Sequence, residues 1–395
     1  MVPVLPNFLC PVRGRRSAAA VFFGAVLLAA QPASPPDSGW MSLEQLGQIK
    51  VIIASKRAEP AWNVGAALAV VTGDDVRFAG ARTLGDALRL APGLNVAQVD
   101  ARDWMVGARG FDQQYANKLL VMIDGRTVYT PLFGGVFWDA QDVVLEDLAQ
   151  IEVVRGPGAT LWGANAVNGV ISIATKSAAD TPGTFASSTV GTTERSGTLR
   201  YGAIAADGWA YRVYARASRF AASRTATGAD AGDAWSRQQA GFRADRTAPG
   251  GTQLTVQGDA CVSPGNFVAE GAEFAPPRFA FTDAAKGIAT SSANLLARWA
   301  KTHGDGSGTR VQAFADTTWR SQAVLAERRS TADLDLQRTQ TAGPHAWAWG
   351  AATASVRIAP PAAMGSPSRR PVSRRNCSTR LRRIRSRLSP TGSSS

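Results

Sequence analysis

Apolar and polar side chains alternate along several short segments in the second half of the chain. The alternation is clearest in residues 210–220, 252–260, 293–299 and 309–317, and around Leu334 and Leu336. Successive side chains of a strand point to opposite faces, so each segment predicts a strand with one apolar and one polar face. Two classes of protein have such strands: transmembrane barrels, whose polar face lines a wet lumen, and soluble antiparallel sheets with one solvated face.

Residues 56–180 have a different pattern, which predicts a compact α+β unit. Thr83 precedes apolar residues at spacings of three and four, and a Pro-Gly pair at 92–93 follows them, which predicts a short capped helix. Two β-prone runs, 118–123 and 126–129, are joined by an Asp-Gly pair. Such a pair between β-prone runs is a strong hairpin signal.

A glycine-rich loop lies between two further predicted strands, 151–155 and 169–175. Its spacing of Gly158 and Gly163 matches a phosphate-binding loop, but Ala164 and Asn165 stand where that chemistry needs Lys and Ser or Thr. The sequence therefore does not support a nucleotide-binding site. We interpret the loop glycines as residues that permit tight backbone turns. They are Gly156, Gly158 and Gly163.

Residues 1–30 have the pattern of a secretory signal peptide. Three arginines, at 13, 15 and 16, precede an apolar run over residues 18–30. A membrane anchor is the alternative, but this run is shorter than the roughly 20 residues that span a bilayer. We predict that residues 31–55 form a flexible segment, which is rich in Pro and Ser from Gln31 to Gly39.

A short β-prone run closes that segment. It consists of Ile49, Lys50, Val51, Ile52 and Ile53. This run is either an ordinary first strand or a free segment that adds an edge strand to another protein's sheet.

The net charge of +13 is a property of the last part of the chain. Nine arginines lie between residues 369 and 387, with no acidic residue beyond Asp335, so 13 − 9 = 4 charges remain for the rest. From about Ala351 the alternation ends. We interpret residues 359–395 as a disordered or out-of-frame tail; the alternative is a basic tail that binds lipopolysaccharide or nucleic acid. The fold itself gives no reason to expect a nucleic-acid partner.

The residues that enzymes and metal sites need are scarce. The chain has three cysteines, Cys10, Cys261 and Cys377, far apart and without CxxC spacing, and its two histidines lie in no motif. No Ser/His/Asp set or complete nucleotide loop is present in the sequence. We therefore expect no catalytic residue, no metal site and no cofactor.

The N-terminal unit resembles the plug domain of TonB-dependent outer-membrane receptors. The stretches that carry the resemblance are TLGDALRLAPGLNV, MVGARGF, ANKLLVMIDGRTVYTPLFGGVFWDAQDV and LEDLAQIEVVRGPGATLWGANAVNGVISIATK, within residues 50–176. SANLLARWAK and TADLDLQ look like early barrel strands of the same family. The resemblance implies an α+β plug domain followed by an antiparallel transmembrane β-barrel of 22 strands in the cell outer membrane.

The resemblance also implies a function and partners. Members take up a scarce large solute, such as a ferric siderophore or cobalamin, and are powered by TonB with ExbB and ExbD. By position, Ile49–Ile53 matches the TonB box, the segment that pairs with TonB. A barrel this wide needs a plug to fill it. We expect Arg109 and Arg155 to pair with luminal carboxylates. We expect four acidic residues to pair with luminal arginines: Asp124, Glu146, Asp147 and Glu152.

The barrel predicted for residues 181–358 is truncated. This range holds 358 − 181 + 1 = 178 residues and about eight strand candidates. A strand needs roughly 9–11 residues plus its turns, so 22 strands need a much longer chain. The sequence thus favours a truncated TonB-dependent transporter that contacts outer-membrane lipid. The alternative is a periplasmic plug-only module that binds or signals without a pore.

Overall fold

A computed structural model describes residues 50–51, 59–61, 64–158, 162–163, 165–273, 280–322, 325–342, 345–359 and 380–386. The predicted signal peptide, residues 1–30, lies outside these residues, as do Ile49, Ile52 and Ile53. No helix among the described residues is long and apolar enough to cross a membrane.

The N-terminal unit, residues 59–180, is built on a small mixed sheet. Its elements, preceded by β1 (Lys50–Val51), are β2 (Glu59–Pro60), β3 (Ala67–Thr72), α1 (Gly73–Phe78), α2 (Leu84–Arg89), β4 (Leu94–Gln98), β5 (Trp104–Ala108), β6 (Leu119–Ile123), β7 (Arg126–Thr127), β8 (Leu148–Arg155) and β9 (Gly169–Thr175). Five strands pair in the order β3-β8-β9-β6-β7. Only β6 and β9 run parallel, while β4 pairs with β5 and β1 with β2.

Short turns and caps shape this unit as the sequence predicts. The Thr83 hydroxyl accepts from the Asp86 amide at 3.1 Å, and the Asp86 carboxylate accepts from the Thr83 amide at 3.2 Å, so a capping box opens α2. Asp124 and Gly125 have φ of 51° and 82°. Both central residues of a type I′ hairpin turn need positive φ, so this pair joins β6 to β7.

One continuous apolar core holds the unit together. The helices pack their apolar side on one face of the sheet, and the core extends to β4 and β5. Its most deeply buried large side chains include Leu88, Leu148, Ile151, Ile171 and Ile173. Every side chain of β6 is buried, as expected for a strand covered on both faces.

The rest of the described chain forms one large antiparallel sheet. Its strands are β10 (Gly183–Val190), β11 (Glu194–Ile204), β12 (Trp209–Phe220), β13 (Trp235–Ala248), β14 (Thr252–Glu273), β15 (Ala280–Thr302), β16 (Gly308–Gln322), β17 (Leu325–Ala342), β18 (His345–Ala359) and β19 (Arg380–Ser386). They pair in sequence order, and β10 and β19 are the edges among the described residues. The described strands therefore form an open sheet, which corresponds to part of a barrel.

The two ends of the large sheet differ. At one end, called the turn end, residues 205–208, 249–251 and 303–307 connect neighbouring strands. At the other, called the loop end, residues 191–193 connect β10 to β11 and the much longer segment 221–234 connects β12 to β13. Outer-membrane barrels have short turns on the periplasmic side and longer loops outside, which orients this sheet.

The large sheet buries its polar face and exposes its apolar face. In β12, Arg212 and Arg216 are 4% and 9% exposed, whereas Tyr211 and Val213 are 40% and 49% exposed. A soluble sheet buries its apolar face instead. Because the polar face meets the N-terminal unit and the apolar face points away from it, the strands have the polarity of a transmembrane barrel.

One strand runs further than the alternation indicates. β18 continues to Ala359 although the pattern ends near Ala351, because it pairs with β17 along its whole length. Part of the predicted tail, Arg380–Ser386, pairs with β18 as β19. The origin assigned to residues 359–395 from the sequence stays a prediction.

Candidate functional site

The surface between the N-terminal unit and the large sheet is lined with buried ion pairs. At its loop end, the Asp139 carboxylate lies between two guanidinium groups. Arg102 Nε donates to Asp139 Oδ2 at 2.7 Å, and Arg320 Nη1 donates to both carboxylate oxygens at 2.7 Å. Arg102 also donates to the Ser263 carbonyl oxygen and the Thr290 hydroxyl, so one plug-side arginine links β14 and β15.

Charge and burial act in opposite directions on Asp139. Its side chain and that of Arg102 have no exposed surface. Burial by itself raises the pKa of the carboxyl, but the guanidinium groups of Arg320 and Arg102 outweigh this and hold the pKa below its ordinary value. Asp139 is therefore ionised and bridges the two elements.

Asp103, beside this bridge, behaves differently. Burial, the nearby Asp139 charge and the Asp100 charge raise the pKa of Asp103 to about 7. Its Oδ2 accepts from Gln114 Nε2 at 3.2 Å rather than from a guanidinium group. Asp103 thus takes up a proton near neutral pH.

Asp142 forms a second bridge of the same kind. Its Oδ2 lies 3.1 Å from Arg216 Nη1 and 2.8 Å from Arg237 Nη1, on the neighbouring strands β12 and β13. Burial opposes ionisation, yet the two guanidinium groups lower the pKa of Asp142.

Asp147 and Asp124 extend the contacts toward the turn end. Asp147 Oδ1 accepts from Arg200, and its Oδ2 lies 3.6 Å from Arg212 Nε. Asp124 Oδ2 accepts from Gln257 Nε2 at 2.8 Å, while its carbonyl oxygen accepts from Arg298. Both carboxylates were predicted from the sequence to face luminal arginines.

Two contacts have the opposite polarity. Arg126 Nη1 donates to Asp316 Oδ2 of β16 at 2.7 Å, and Arg329 of β17 donates to the other oxygen of Asp316 at 2.6 Å. The Thr130 hydroxyl donates to Glu327 Oε1 at 2.8 Å. The sheet therefore presents carboxylates as well as arginines to the N-terminal unit.

The other predicted docking residues have different contacts. Arg109 Nη2 donates to the Arg155 carbonyl oxygen at 3.4 Å, so these two residues meet within the N-terminal unit. Glu146 Oε1 accepts from the Ser187 hydroxyl of β10 at 3.1 Å. Glu152 is buried in β8, where it accepts from Gln150 Nε2 at 2.7 Å. A docking role for these four residues stays a prediction, as it does for Asp124 and Asp147.

The predicted turn glycines lie where side chains fit poorly. Gly156 and Gly163 have φ of 129° and 90°. A Cβ on Gly158 would lie 2.8 Å from the Val170 side chain.

The central carboxylates and arginines of the interface were not predicted from the sequence. They are Arg102, Arg126, Asp139 and Asp142. A signal was present for two of them, since Asp139 and Asp142 lie in the stretch GGVFWDAQDV. Their partners were visible as arginines recurring on the polar face of the alternating strands.

Three aromatic rings lie together at the loop end of the N-terminal unit. Phe133 lies 5.1 Å from Tyr115 and 5.0 Å from Phe137 between ring centroids, and all three pairs meet edge to face. The Arg320 guanidinium lies 4.2 Å above the Phe137 ring. The side chain of Tyr115 is 46% exposed, and that of Phe111, four residues before it in the sequence, is 53% exposed. The cluster is therefore partly exposed, mainly through Tyr115.

Comparison with known proteins agrees with this architecture. A family model described as the TonB-dependent receptor plug domain matches residues 60–170. The vitamin B12 transporter BtuB of Vibrio vulnificus is 28% identical over 145 residues, which is 36% of this chain and 23% of that protein. The chain thus spans about a quarter of the curated relative that it matches.

Solved structures share the fold. The pyoverdine outer membrane receptor FpvA from Pseudomonas aeruginosa superposes with a TM-score of 0.61 at 16% identity, over 78% of this chain and 49% of that one. The copper transporter OprC superposes with a TM-score of 0.59 at 13% identity, over 74% and 46% of the two chains. Residues 60–170 thus match the plug domain of TonB-dependent receptors, and this domain lies on the polar face of strands that resemble those of outer-membrane receptor barrels.

Proposed function

We propose that this chain acts in the uptake of a scarce large solute across the outer membrane, powered by TonB with ExbB and ExbD. The charged interface between plug and sheet is the observation that carries the proposal. Relatives and structural neighbours are named for vitamin B12, pyoverdine and copper. We propose a ferric siderophore or cobalamin as the solute, and we assign the chain no catalytic residue.

The chemistry of the interface suits a plug that is held in place but can move. Buried ion pairs fix geometry, while their net contribution to stability is small because desolvation offsets their attraction. Asp139 and Asp142 each have two guanidinium partners, so they position the plug with polar contacts. An apolar interface of the same size would hold the plug far more firmly.

The aromatic cluster at the loop end supports a solute-binding role for that end. Tyr115, Phe133 and Phe137 offer aromatic ring faces and edges, while Arg320 beside Phe137 is buried and paired with Asp139. Aromatic side chains bind large apolar surfaces of small molecules. Large solutes with aromatic groups match these rings.

The predicted TonB-contacting residues are Ile49, Lys50, Val51, Ile52 and Ile53. Lys50 and Val51 form β1, which pairs with β2, and Val51 is 1% exposed. Strand addition to TonB needs free backbone groups. We therefore propose that β1 leaves β2 when it engages TonB.

Uptake by cells tests the proposal. The full chain is expressed in a bacterium that lacks its own siderophore and cobalamin receptors, with and without TonB. We expect uptake of labelled ferric siderophore or cobalamin that requires TonB, and loss of uptake in Asp139→Asn. Uptake equal in both strains would contradict the proposal. A soluble periplasmic product would instead support the plug-only binding or signalling module.

A further inference from the structure

The loop between β12 and β13 holds the plug by its base. This loop, residues 221–234, has an exposed tip at 224–230, whereas Asp233 at its base has no exposed surface. The Asp233 carboxylate accepts from the Ser223 amide and hydroxyl, each at 2.6 Å, and from the Ala101 amide of the plug at 2.8 Å. One carboxylate therefore ties the two ends of the loop to each other and to the plug.

Asp233 is ionised at neutral pH. Burial by itself raises the pKa of its carboxyl, but the Ser223 hydroxyl and the amides of Ala101 and Ser223 donate to it and hold the pKa below its ordinary value. Hydrogen bonds to an ionised acceptor are roughly twice as strong as those between neutral groups. The loop base is therefore a firm anchor for the plug backbone.

Trp235 holds the same plug residue through its other backbone group. The indole Nε1 donates to the Ala101 carbonyl oxygen at 2.7 Å, so the base of one loop binds both the amide and the carbonyl of Ala101. The Trp235 ring stacks on Phe220 of β12, with 4.3 Å between the ring centroids and an interplanar angle of 10°. Trp235 is therefore fixed on the sheet, and it fixes the plug in turn.

Ala101 directly precedes the arginine of the loop-end bridge. Asp100 Oδ1 accepts from the Arg102 amide at 2.7 Å and from the Asp103 amide at 2.6 Å, which closes a tight turn around Ala101. The direction in which the Arg102 side chain leaves this turn depends on where Ala101 is held. The contact between Arg102 and Asp139 thus depends on the loop base.

The Trp235 ring also lies beside the arginines of two bridges. The Arg102 guanidinium is 5.6 Å from the ring centroid, and the Arg237 guanidinium is 5.3 Å from it. A guanidinium within about 6 Å of an indole ring is attracted to it. Arg237 pairs with Asp142 at 2.8 Å and donates to the Asp139 carbonyl oxygen. The loop base therefore contacts both the Asp139 and the Asp142 bridge.

We propose that Asp233 and Trp235 are positioning residues for Arg102. They hold its guanidinium in the bridge to Asp139, so that loop 221–234 controls whether the loop end of the plug is locked. Displacement of the exposed tip pulls Asp233 away from Ala101, which lets Arg102 leave the bridge. The use of this loop to regulate uptake rests on the proposed function, whereas the coupling between the loop base and the bridge does not.

Cys261 of β14 is a native reporter of this lock. Its side chain is 8% exposed, on the plug-facing side of the sheet, where the charges of Arg237 and Arg102 act on it. The variant Cys10→Ser/Cys377→Ser leaves Cys261 as the only thiol of the chain. A thiol reagent reaches it when the loop end of the plug opens. The labelling rate of the detergent-purified full chain then measures the open population.

Loop variants in this background test the coupling. We expect Trp235→Phe, which keeps a ring but loses the indole donor, to speed labelling about 5-fold, the usual effect of one hydrogen bond. Asp233→Asn loses the charged acceptor and should speed labelling about 10-fold or more. Ser223→Ala changes the loop alone and should still speed labelling about 5-fold. Trp209→Phe, on the opposite face of β12, is the control and should leave the rate unchanged.

A second probe separates the lock from a general loosening of the interface. Gln257→Cys, combined with Cys261→Ser, moves the thiol 261 − 257 = 4 residues along β14 to the contact with Asp124, about 13 Å away. The loop variants should leave labelling there unchanged. Unchanged labelling of Cys261 in Asp233→Asn and Trp235→Phe, equal acceleration at position 257, or the same acceleration in Trp209→Phe would each overturn the proposal. These measurements contain no solute, so their outcome is independent of the uptake assay.

Discussion

At the scale of single residues, the plug is positioned by carboxylates that each face two arginines. Asp139 between Arg102 and Arg320 is the most deeply buried example. Asp124 and Asp147, which have arginine partners, were predicted from the sequence to lie at this interface, but Asp139 was not. A single charged residue outside an alternating segment gives no periodic pattern in the sequence. Its role depends on its burial and on which side chains it contacts, and these are visible only in the structure.

Asp139→Asn should strongly destabilise the docked plug. The substitution leaves Arg102 and Arg320 buried without a counter-charge, which costs about 3–5 kcal/mol. Chemical unfolding of the purified chain in detergent measures this loss. Asp74→Asn is the matched control, because Asp74 pairs with Arg77 at 3.6 Å on an exposed surface. Asp74→Asn should lower the free energy of unfolding by no more than about 1 kcal/mol. Equal losses in the two variants would contradict the role assigned to Asp139.

Asp103 should make stability depend on pH in the acid-to-neutral range. Its pKa is raised from 3.8 to about 7, so the folded chain holds a proton that the unfolded chain has released. Stability is therefore full below about pH 4, falls as the pH rises toward 7 and is level above it. We expect a loss of roughly 2–3 kcal/mol between pH 5 and pH 8 from this group.

Asp103→Asn provides the check on that pH dependence. The amide cannot ionise, so the variant should lose the fall between pH 5 and pH 8 and exceed the unmodified chain in stability at pH 8. Unfolding midpoints at both pH values measure the effect. An unchanged pH profile in the variant would show that other groups produce it.

At the scale of elements, turn chemistry and alternation were readable from the sequence. The Asp-Gly hairpin, the cap at Thr83 and the alternating strands are all present, because each depends on a local pattern. The helix α1 (Gly73–Phe78) was missed. It has six residues and begins with glycine, so its only signal was the capping box of Thr72 and Asp75.

Gly125→Ala should weaken the hairpin and its contact with the sheet together. A Cβ at φ 82° costs about 1–2 kcal/mol. It would also lie 3.0 Å from Gln312 Oε1 and 3.1 Å from Arg298 Nη2. Gly110→Ala is the control, with φ 80° and no atom within 4 Å of the added carbon. Compared with Gly110→Ala, Gly125→Ala should lower the free energy of unfolding by about a further 1 kcal/mol, because it disturbs hydrogen bonds to the sheet. Equal unfolding midpoints for both variants would exclude a docking contribution.

At the scale of the whole molecule, the sheet faces the plug with its polar side. Alternation alone allowed either a soluble sheet or a membrane barrel, because both have one apolar face. Only the packing of the plug against the arginine-bearing face separates the two. Strand number and the partners of individual arginines depend on long-range pairing, which local patterns do not encode.

Leu295→Arg should prevent membrane assembly although Leu295 is 51% exposed. Its surroundings are lipid, where a basic residue near the midplane costs about 2–4 kcal/mol. Val99→Arg is the control, since Val99 is 50% exposed on the plug. The readout is the amount of each chain in the outer-membrane fraction. Normal assembly of Leu295→Arg would contradict the lipid-facing assignment.

The paired arginines have a consequence for the lumen when the plug moves. Asp142 would leave two guanidinium groups behind on the wall, Arg216 and Arg237, whereas Asp139 would leave Arg320 alone because Arg102 moves with the plug. Displacement of the plug would therefore leave unpaired arginines along the plug–sheet interface and make the opened passage positively charged. Such a passage draws anions inward and, once they have left, draws the acidic plug back into place. The arginines on the wall would thus favour the return of the plug carboxylates to their docked positions.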